Sequence, residues 1–461
     1  MLGKIFTSET RIEITNELRT YLNNFVCEYN KVYRIMYQIM RKPDFYKQYS
    51  KNSYFVSEMC NKYGLLKRTV NSIFKDIQGK MKALEELKKT QLRSIENKIE
   101  KQKNRIDKVK KELDKIKQEV VNNTLTEKQL EKYRKQKQGL YYKLNRLNKL
   151  KQRKEQLEYE INNKVLKIGF GGKKTFDKQY RLEKNKFKTH NQWYKDYIKK
   201  RDKNIVYIGS RDETNGNTMF QMQVIGNKFK CKLRKDGKQV KNNESKYIEF
   251  YVDFTYLRDE IIKIINGYKD KNAIHKPLTY RFKRRNNKWY LQVMFEIERD
   301  TITNTMYGSI GLDYNNGFIE LAETDKKGNL IHQQHYQLKH HGIGNKAKSE
   351  IQEMICKITD YALSVGKDIV IEDLNFKKKK SQVGKNKEYN KMIHKFDYSR
   401  YKECFERSCF RKEVGLIKIN PYNTSKIGKQ KYSNRMKLNI HQSASYVIAR
   451  KGQGYIDKLV A

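Results

Sequence analysis

Prolines and paired cysteines are scarce in this sequence, and each scarcity narrows the class of protein. Only 3 of the 461 residues are proline, so long proline-rich linkers are excluded and the domains should pack directly on one another. The cysteines include no C-x-x-C pair, so neither a zinc ribbon nor a disulfide framework is indicated. We therefore expect reduced thiols in a cytoplasmic protein and no bound zinc. The six cysteines are Cys27, Cys60, Cys231, Cys356, Cys404 and Cys409.

Long apolar runs are also missing, and acidic residues are too few to balance the basic ones. No apolar stretch approaches about 18 residues, and no signal peptide is recognised, so we expect no membrane partner. Lys and Arg number 101 against 52 Asp and Glu, which gives a formal net charge of +49. A codon bias towards Lys, Asn, Ile and Tyr would favour Glu as well, so such a bias alone does not explain the excess of basic over acidic residues. A long polyanion is the partner that such a charge favours, because neutralised phosphates release counterions.

The most informative stretch present covers residues 310–322. An apolar run leads into Asp313, Gly317 follows, and a second apolar run leads to the polar residues 325–329. This pattern predicts two antiparallel strands joined by a Gly-containing turn, with one carboxylate in the first strand. An unpaired charge in a low-dielectric interior is costly, so this carboxylate needs a partner. A metal ion is one candidate, and backbone amides at a strand end are the alternative.

A strand–helix–strand unit follows from the same stretch. Apolar residues at helical spacing over residues 351–365 predict a helix that covers a sheet face, and Gly366 ends it. The apolar strand 369–371 then delivers Glu372 at its end. The segments GLDYNNGFIELAETDKKGN and IVIEDLNF resemble the first and second RuvC motifs of the TnpB (OrfB) proteins of insertion sequences. Those proteins are RNA-guided DNA endonucleases related to miniature type V CRISPR effectors.

The resemblance implies a multidomain α+β protein. It would contain a ribonuclease-H-like (RuvC) α/β nuclease domain, a small β-barrel (wedge) domain, and a long helical recognition lobe with an antiparallel coiled-coil hairpin. The implied boundaries are residues 1–8 for the first strand of the wedge barrel, 9–166 for the helical lobe, 167–300 for the barrel and 301–461 for the nuclease domain. The resemblance is specific in the last of these segments and looser before it.

The residues of the helical lobe support a hairpin independently. Between residues 92 and 120, apolar positions alternate spacings of three and four, which is a heptad seam with Gln102 as its polar member. Leucines between 140 and 157 belong to a return helix. The product is an antiparallel hairpin on the order of 40 Å long. It is either a structural arm with a solvated surface or an electropositive rib beside nucleic acid.

Short alternating strands between residues 205 and 298 predict the small barrel. A basic hairpin in this region would grip a guide-RNA backbone, and a solvated turn is the alternative; its residues are Arg281, Lys283, Arg284 and Arg285. A second basic run follows Glu372 directly, and its place after a catalytic strand predicts a loop close to the active site. That run is Lys377, Lys378, Lys379 and Lys380.

The third family motif departs from its pattern. The family has an Asp two residues before Asn-Ala-Ala on the final helix, whereas His441 stands at the matching position here. No acidic residue lies between Glu413 and Asp457, and no cysteine follows to form the family's zinc ribbon. The third metal ligand is therefore His441, or Asp457, or none. Imidazole is a suitable ligand for Mn²⁺ and is tolerated beside Mg²⁺.

The resemblance implies a protein that binds a structured guide RNA and hydrolyses double-stranded target DNA with two divalent ions, Mg²⁺ or Mn²⁺. The resemblance implies that Asp313 bridges both ions, that Glu372 binds one, and that His441 completes the set. A nuclease-deficient, RNA-guided DNA-binding repressor is the first alternative, because it differs only in the metal site. A transposase-associated DNA-binding protein is the second, although no H-x-H pair occurs. We expect a cytoplasmic, nucleoid-associated protein.

Overall fold

The computed structural model describes residues 4–42, 44–121, 127–171, 173–237, 245–268, 275–315, 317–340, 344–374 and 398–459. It has the mixed helix and sheet composition that the α+β class predicts, and it divides into two compact units, Gly3–Ile297 and Glu298–Ala461. The predicted loop residues Lys377, Lys378, Lys379 and Lys380 lie outside the described residues. Within the described ranges, every helix is too short or too polar to span a membrane. All six cysteines are described, and all are free thiols.

Helices dominate the first part of the N-terminal unit. The first begins after Thr15, whose side chain accepts a hydrogen bond from the amide of Leu18, and it buries one apolar and aromatic face. The third helix ends at Gly64, which takes the left-handed conformation common at helix ends. The helices are α1 (Asn16–Met40), α2 (Phe45–Gln48), α3 (Asn52–Tyr63), α4 (Lys67–Val121), α5 (Glu127–Asn162), α6 (Lys173–Phe176) and α7 (His190–Arg201).

Helices α4 and α5 form an antiparallel hairpin, as the heptad seam predicts. Lys88 Nζ lies 2.8 Å from a carboxylate oxygen of Glu160, and the Gln102 side chain donates a hydrogen bond of 3.0 Å to the Lys143 carbonyl. Residue numbers rise along one helix as they fall along the other, so the two helices run in opposite directions. Gln102 is buried with its amide bonded, which explains how a polar residue is accommodated in the seam.

The strands of this unit belong to two sheets. They are β1 (Lys4–Arg11), β2 (Asn204–Tyr207), β3 (Phe220–Ile225), β4 (Lys228–Arg234), β5 (Tyr247–Val252), β6 (Thr279–Arg285) and β7 (Lys288–Ile297), with helix α8 (Arg258–Gly267) between β5 and β6. The larger sheet has the order β1-β7-β6-β2, and the smaller has the order β3-β4-β5. Strand β1 pairs with β7 through Arg11, three residues beyond the boundary expected from the sequence.

The prediction of a small closed barrel is wrong, because no strand pairing joins the two sheets among the described residues. The sheets are linked by aromatic packing instead. The ring centroids of Phe220 and Tyr280 are 4.4 Å apart, and those of Phe250 and Phe282 are 6.4 Å apart. Alternating apolar residues give a strand one buried face whether its sheet closes or packs on another, so the sequence pattern does not separate the two outcomes.

The C-terminal unit is built around one five-stranded sheet of order β10-β9-β8-β11-β12. Strands β8, β9 and β10 are antiparallel, whereas β11 runs parallel to both β8 and β12. The elements are β8 (Asn304–Asn315), β9 (Phe318–Thr324), β10 (Leu330–Gln337), α9 (Asn345–Ser364), β11 (Lys367–Glu372), α10 (Tyr398–Lys412), β12 (Leu416–Ile419), α11 (Thr424–Ile427), a π-helical stretch (Gly428–Ser433), α12 (Asn434–Met436) and α13 (Ile440–Gly452).

Different helices cover the two faces of this sheet. Ile310 and Leu312 point to the face covered by α9 and α10, where they join the main core of the unit. The alternate residues point to the face covered by α13. A Cβ atom built on Gly311 would lie 2.2 Å from the backbone oxygen of Ser445 in α13, so the absence of a side chain at Gly311 allows the helix to lie this close to the sheet.

Candidate active site

Asp313 and Glu372 occupy adjacent positions on neighbouring strands. Along β8, Leu312 points into the α9 side of the core, so Asp313 points to the α13 face. The parallel pairing of β8 with β11 places Leu312 opposite Ile371, and Asp313 and Glu372 are the next residues along the two strands. The structure therefore places Asp313 beside Glu372 on one face of the sheet, in the arrangement that the strand–helix–strand pattern predicts.

His441 lies above Asp313 at the start of α13. Its Nδ1 atom is 3.0 Å from Oδ2 of Asp313, and the side-chain amide of Asn315 donates a 2.9 Å hydrogen bond to the same oxygen. The bond to Asp313 raises the pKa of the His441 imidazole. Asn439 caps the helix by accepting hydrogen bonds from the amides of His441 and Gln442, which fixes the backbone that carries the imidazole.

Glu372 is buried, and a hydroxyl group from a following turn bonds to it. Thr424, the first residue of α11, donates a hydrogen bond to Oε1 of Glu372. Pairing of Glu372 with Ile419 in β12 brings the chain just beyond β12 towards this carboxylate. Sequence reasoning did not assign a role to Thr424. Its position five residues after the end of a short strand carried no periodic signal that would have identified it.

Glu320 is a second residue that sequence reasoning missed. It lies directly opposite Asp313 in the antiparallel pairing of β8 with β9, so the two side chains share one face. The residue is 2% exposed, and its Oε1 atom is 2.7 Å from Nδ1 of His335. That hydrogen bond raises the pKa of His335. The available signal was an acidic residue inside the apolar run F-I-E-L-A, at the register position that faces Asp313.

The donor atoms suit Mg²⁺ or Mn²⁺ in kind, since carboxylate oxygens serve both ions and imidazole serves Mn²⁺. Among the described residues, however, no group of three or more His, Cys, Asp and Glu side chains is arranged to hold a metal ion. Asp313 bonds to His441 and Glu372 bonds to Thr424. A metal ion at this site would have to replace these hydrogen bonds. The donor atoms of Asp313, Glu372 and His441 and their positions on the sheet suit such a site.

Asp457, the alternative third ligand, is engaged elsewhere. Its carboxylate accepts hydrogen bonds of 2.9 Å from the Tyr432 hydroxyl and 2.8 Å from Nε of Arg450, and its side chain is only 8% exposed. Burial raises the pKa of Asp457, but the hydrogen bonds from Arg450 and Tyr432 outweigh burial and leave that pKa below its usual value. These contacts give Asp457 a structural role at the end of α13.

Replacing Asp457 with Asn should lower the free energy of unfolding by about 1–3 kcal/mol at pH 7. Because the folded-state pKa is lowered, the ion pair stabilises the fold above the unfolded pKa of about 3.9, and this contribution is lost as the pH falls through the folded value. Urea unfolding of wild type and Asp457→Asn at pH 7 and pH 3 measures both differences. A difference that stays equal at the two pH values would contradict this role.

The predicted basic hairpin corresponds to the end of β6 and its turn into β7. Side chains alternate along this strand: Tyr280 and Phe282 are buried on one side of the sheet, and three of the four cations lie partly or fully exposed on the other. The guanidinium of Arg285 pairs with Glu9 and lies 4.2 Å from the centroid of the Tyr290 ring. The cations of this strand that remain candidates for contact with a phosphate backbone are the partly exposed Arg281 and Lys283 and the exposed Arg285.

Arg284 differs from this prediction. It is buried, and its guanidinium donates hydrogen bonds to the carbonyl oxygens of Lys199 and Asp202 and to the side chain of Asn23. Burial lowers its pKa. Its guanidinium also lies 5.8 Å from the centroid of the Trp289 ring. Arg284 therefore ties together parts of the N-terminal unit, because its place in the strand directs the side chain inward.

Comparison with known proteins gives little similarity. No protein-family model matches the sequence, and no curated protein matches it. Among solved structures, the chain is similar to a chain in the cryo-EM structure of a Cas12f1–sgRNA–target DNA complex, at 12% sequence identity, over 59% of this chain and 77% of that chain, with a TM-score of 0.23. That TM-score is too low to establish a shared fold, so any assignment of function rests on the residues and the site.

Proposed function

We propose that this protein is an RNA-guided DNA endonuclease that hydrolyses phosphodiesters at a RuvC-type centre. The observation that carries the proposal is the adjacency of Asp313 and Glu372 on the neighbouring parallel strands β8 and β11, with the His441 imidazole 3.0 Å from Asp313. These three residues would hold two divalent ions. Bound ions of this kind activate the attacking water and stabilise charge on the phosphoryl group.

The sheet supports a ribonuclease-H-like interpretation of the C-terminal unit. Three antiparallel strands followed by two parallel ones place the first and fourth strands of the unit, β8 and β11, side by side at the centre. Their adjacent ends bring acids together that are far apart in sequence. The hydrogen bonds that the Asn439 side chain accepts from the first turn of α13 hold the imidazole of His441 at the same edge. A catalytic centre needs this kind of fixed geometry.

The nucleic-acid part of the proposal is supported by charge. The net charge is +49, and the α4–α5 hairpin carries a set of solvent-exposed cations along the half nearest its tip. Such a surface attracts a polyanion along its length, as a structured guide RNA would be. Exposed cations near the tip of the hairpin include Lys108, Lys110, Lys111, Lys115, Lys117, Lys132, Arg134, Lys135 and Lys137.

A nuclease-deficient, RNA-guided DNA-binding repressor is the second candidate function. It is favoured by one observation: among the residues that the structure describes, no three potential ligands are arranged around a common point. The repressor would share the basic surfaces and the guide RNA, and would differ only in its inability to hydrolyse DNA.

Purification tests the part that both candidates share. The protein should copurify with a discrete RNA on the order of a hundred nucleotides or more, and RNA affinity should fall steeply between about 50 and 200 mM salt as counterion release weakens. Sequencing the bound RNA and measuring retention against salt checks both points. A preparation free of nucleic acid that also fails to retain RNA from its own locus would contradict guided binding. Cleavage of matched DNA then separates the endonuclease from the repressor.

A further inference from the structure

We propose that Glu320 is an additional carboxylate ligand of the metal centre at Asp313. This inference rests on the proposed function, because it concerns the same centre. It deepens that proposal by adding a ligand from a third strand, β9, to those on β8 and β11. The site would then span three neighbouring strands of the sheet, with His441 above them.

The strand register places Glu320 where such a ligand is needed. Asp313 and Glu320 are direct partners in the antiparallel pairing of β8 with β9, so their Cβ atoms project from the same face at neighbouring positions. Glu372 lies on the other side of Asp313 through the parallel pairing of β8 with β11. Three carboxylates therefore lie in one row across the sheet, with Asp313 in the middle.

Burial of Glu320 provides independent support. Its side chain is 3% exposed, Oε1 bonds to His335, and Oε2 is shielded from solvent without a hydrogen-bond partner among the described residues. A buried carboxylate oxygen without a partner is costly, and most such atoms in folded proteins are satisfied. A divalent ion shared with Asp313 would satisfy this oxygen, whereas His335 alone leaves it unpaired.

Aromatic packing ties the surroundings of Glu320 to His441. The ring of Phe318, two residues before Glu320 on the same face of β9, has its centroid 5.2 Å from that of His335 and 5.2 Å from that of His441. The ring packed against the Glu320 partner therefore also packs against the imidazole over Asp313. Glu320 thus belongs to the same cluster of side chains as Asp313 and His441.

The charge of the proposed metal centre gives a reason for an additional carboxylate ligand. With His441 in place of an acid, Asp313 and Glu372 supply one negative charge fewer than three carboxylates would. Glu320 restores that charge from a different strand, without any acidic residue on α13. The competing explanation is that Glu320 serves only as a structural partner of His335.

Mn²⁺ binding distinguishes the two explanations without depending on cleavage. The full chain is stripped of nucleic acid at high salt, and bound Mn²⁺ is measured by electron paramagnetic resonance, with Asp313→Asn as background. Glu320→Gln should weaken Mn²⁺ binding about 10-fold or more. The control is Glu323→Gln, a buried glutamate three residues along β9 that bonds to Lys367 at 2.5 Å and to Tyr361. This control should bind Mn²⁺ as wild type does.

Two further variants separate ligation from structure. His335→Gln removes the imidazole and keeps the carboxylate, so it should bind Mn²⁺ at least as tightly as wild type. Glu320→Asp keeps the charge on a shorter side chain and should show intermediate affinity, which also provides a readout if Glu320→Gln fails to fold. Wild-type affinity in Glu320→Gln, or an equal loss in His335→Gln, would overturn the inference.

Failure of this inference is distinguishable from failure of the proposed function. If wild type and Glu320→Gln bind Mn²⁺ equally and both exceed the Asp313→Asn background, the centre exists without Glu320 and the proposed nuclease is unaffected. If Glu320→Gln loses Mn²⁺ but wild type cuts no guided DNA, the ligand assignment holds and the repressor function is favoured. Wild type that binds no Mn²⁺ above background would overturn both.

Discussion

Substituting Ala for Asp313 or for Glu372 should each reduce guided DNA cleavage by at least about a thousandfold, while guided DNA binding persists. Either substitution removes a charged ligand, and divalent ions contribute several kcal/mol to stabilising charge during phosphodiester hydrolysis. Binding should persist because base pairing and the basic surfaces do not depend on the centre. Cleavage rates and gel-shift affinities with the protein's own guide RNA measure the two effects separately.

The matched control for this experiment is Asp360→Ala. Asp360 is an aspartate on α9 in the same unit, and its carboxylate bonds to Lys412 at 2.5 Å. Its side chain is exposed, so the loss of this pair should be nearly neutral, and cleavage should match that of wild type. Undiminished cleavage in Asp313→Ala or Glu372→Ala would remove that residue from the active centre. Loss of both cleavage and binding would indicate misfolding instead.

Substitution of His441 should have the second large effect on DNA cleavage. Wild-type protein should cleave faster in Mn²⁺ than in Mg²⁺, because imidazole suits Mn²⁺ better than it suits Mg²⁺. His441→Ala should lose cleavage in both ions, since it deletes the proposed ligand, whose imidazole lies 3.0 Å from Asp313. His441→Asp should cleave and shift the preference towards Mg²⁺, because it returns an oxygen ligand to the same helix position. Initial cleavage rates across both ions test all three expectations.

His340→Ala is a suitable control for this series. His340 is an exposed histidine of the same unit that precedes α9 and bonds to Glu350 within that helix. Its loss should therefore leave the metal preference unchanged. Cleavage by His441→Ala at the wild-type rate would exclude the imidazole as a ligand. Wild type that binds guided DNA tightly and cuts nothing in either ion would favour the repressor over the endonuclease.

The central strands were predictable because their sequence pattern is local. Apolar runs around Asp313 and before Glu372 identify β8, β9 and β11, and helical spacing identifies α9. The third position of the site was predictable only through the resemblance of the final motif, which points to His441. The structure places that imidazole within hydrogen-bonding distance of Asp313. No pattern within α13 itself distinguishes His441 from an ordinary residue in the first turn of a helix.

Features that depend on pairing between distant strands were not predictable in the same way. Glu320 became significant only once the register with Asp313 was known, because a shift of one residue would turn it to the opposite face. Arg284 belongs to a run of cations whose composition suggests a solvated surface. The alternation of β6, marked by the buried Tyr280 and Phe282, instead directs Arg284 into the interior. Whether the two sheets of the N-terminal unit close into a barrel could not be predicted from the sequence either, because barrels and packed sheets share one alternating pattern.

The close contact at Gly311 has a consequence for how this protein could lose activity. A methyl group at position 311 would meet backbone atoms of Ser445 and Ala449 and would force α13 away from the sheet. His441 would then be displaced from Asp313, although every candidate ligand would remain in the sequence. A residue without a side chain thus acts as the spacer that sets the reach of the imidazole. A comparison of ligand residues alone would classify such a variant as active, and inspection of position 311 would correct that classification.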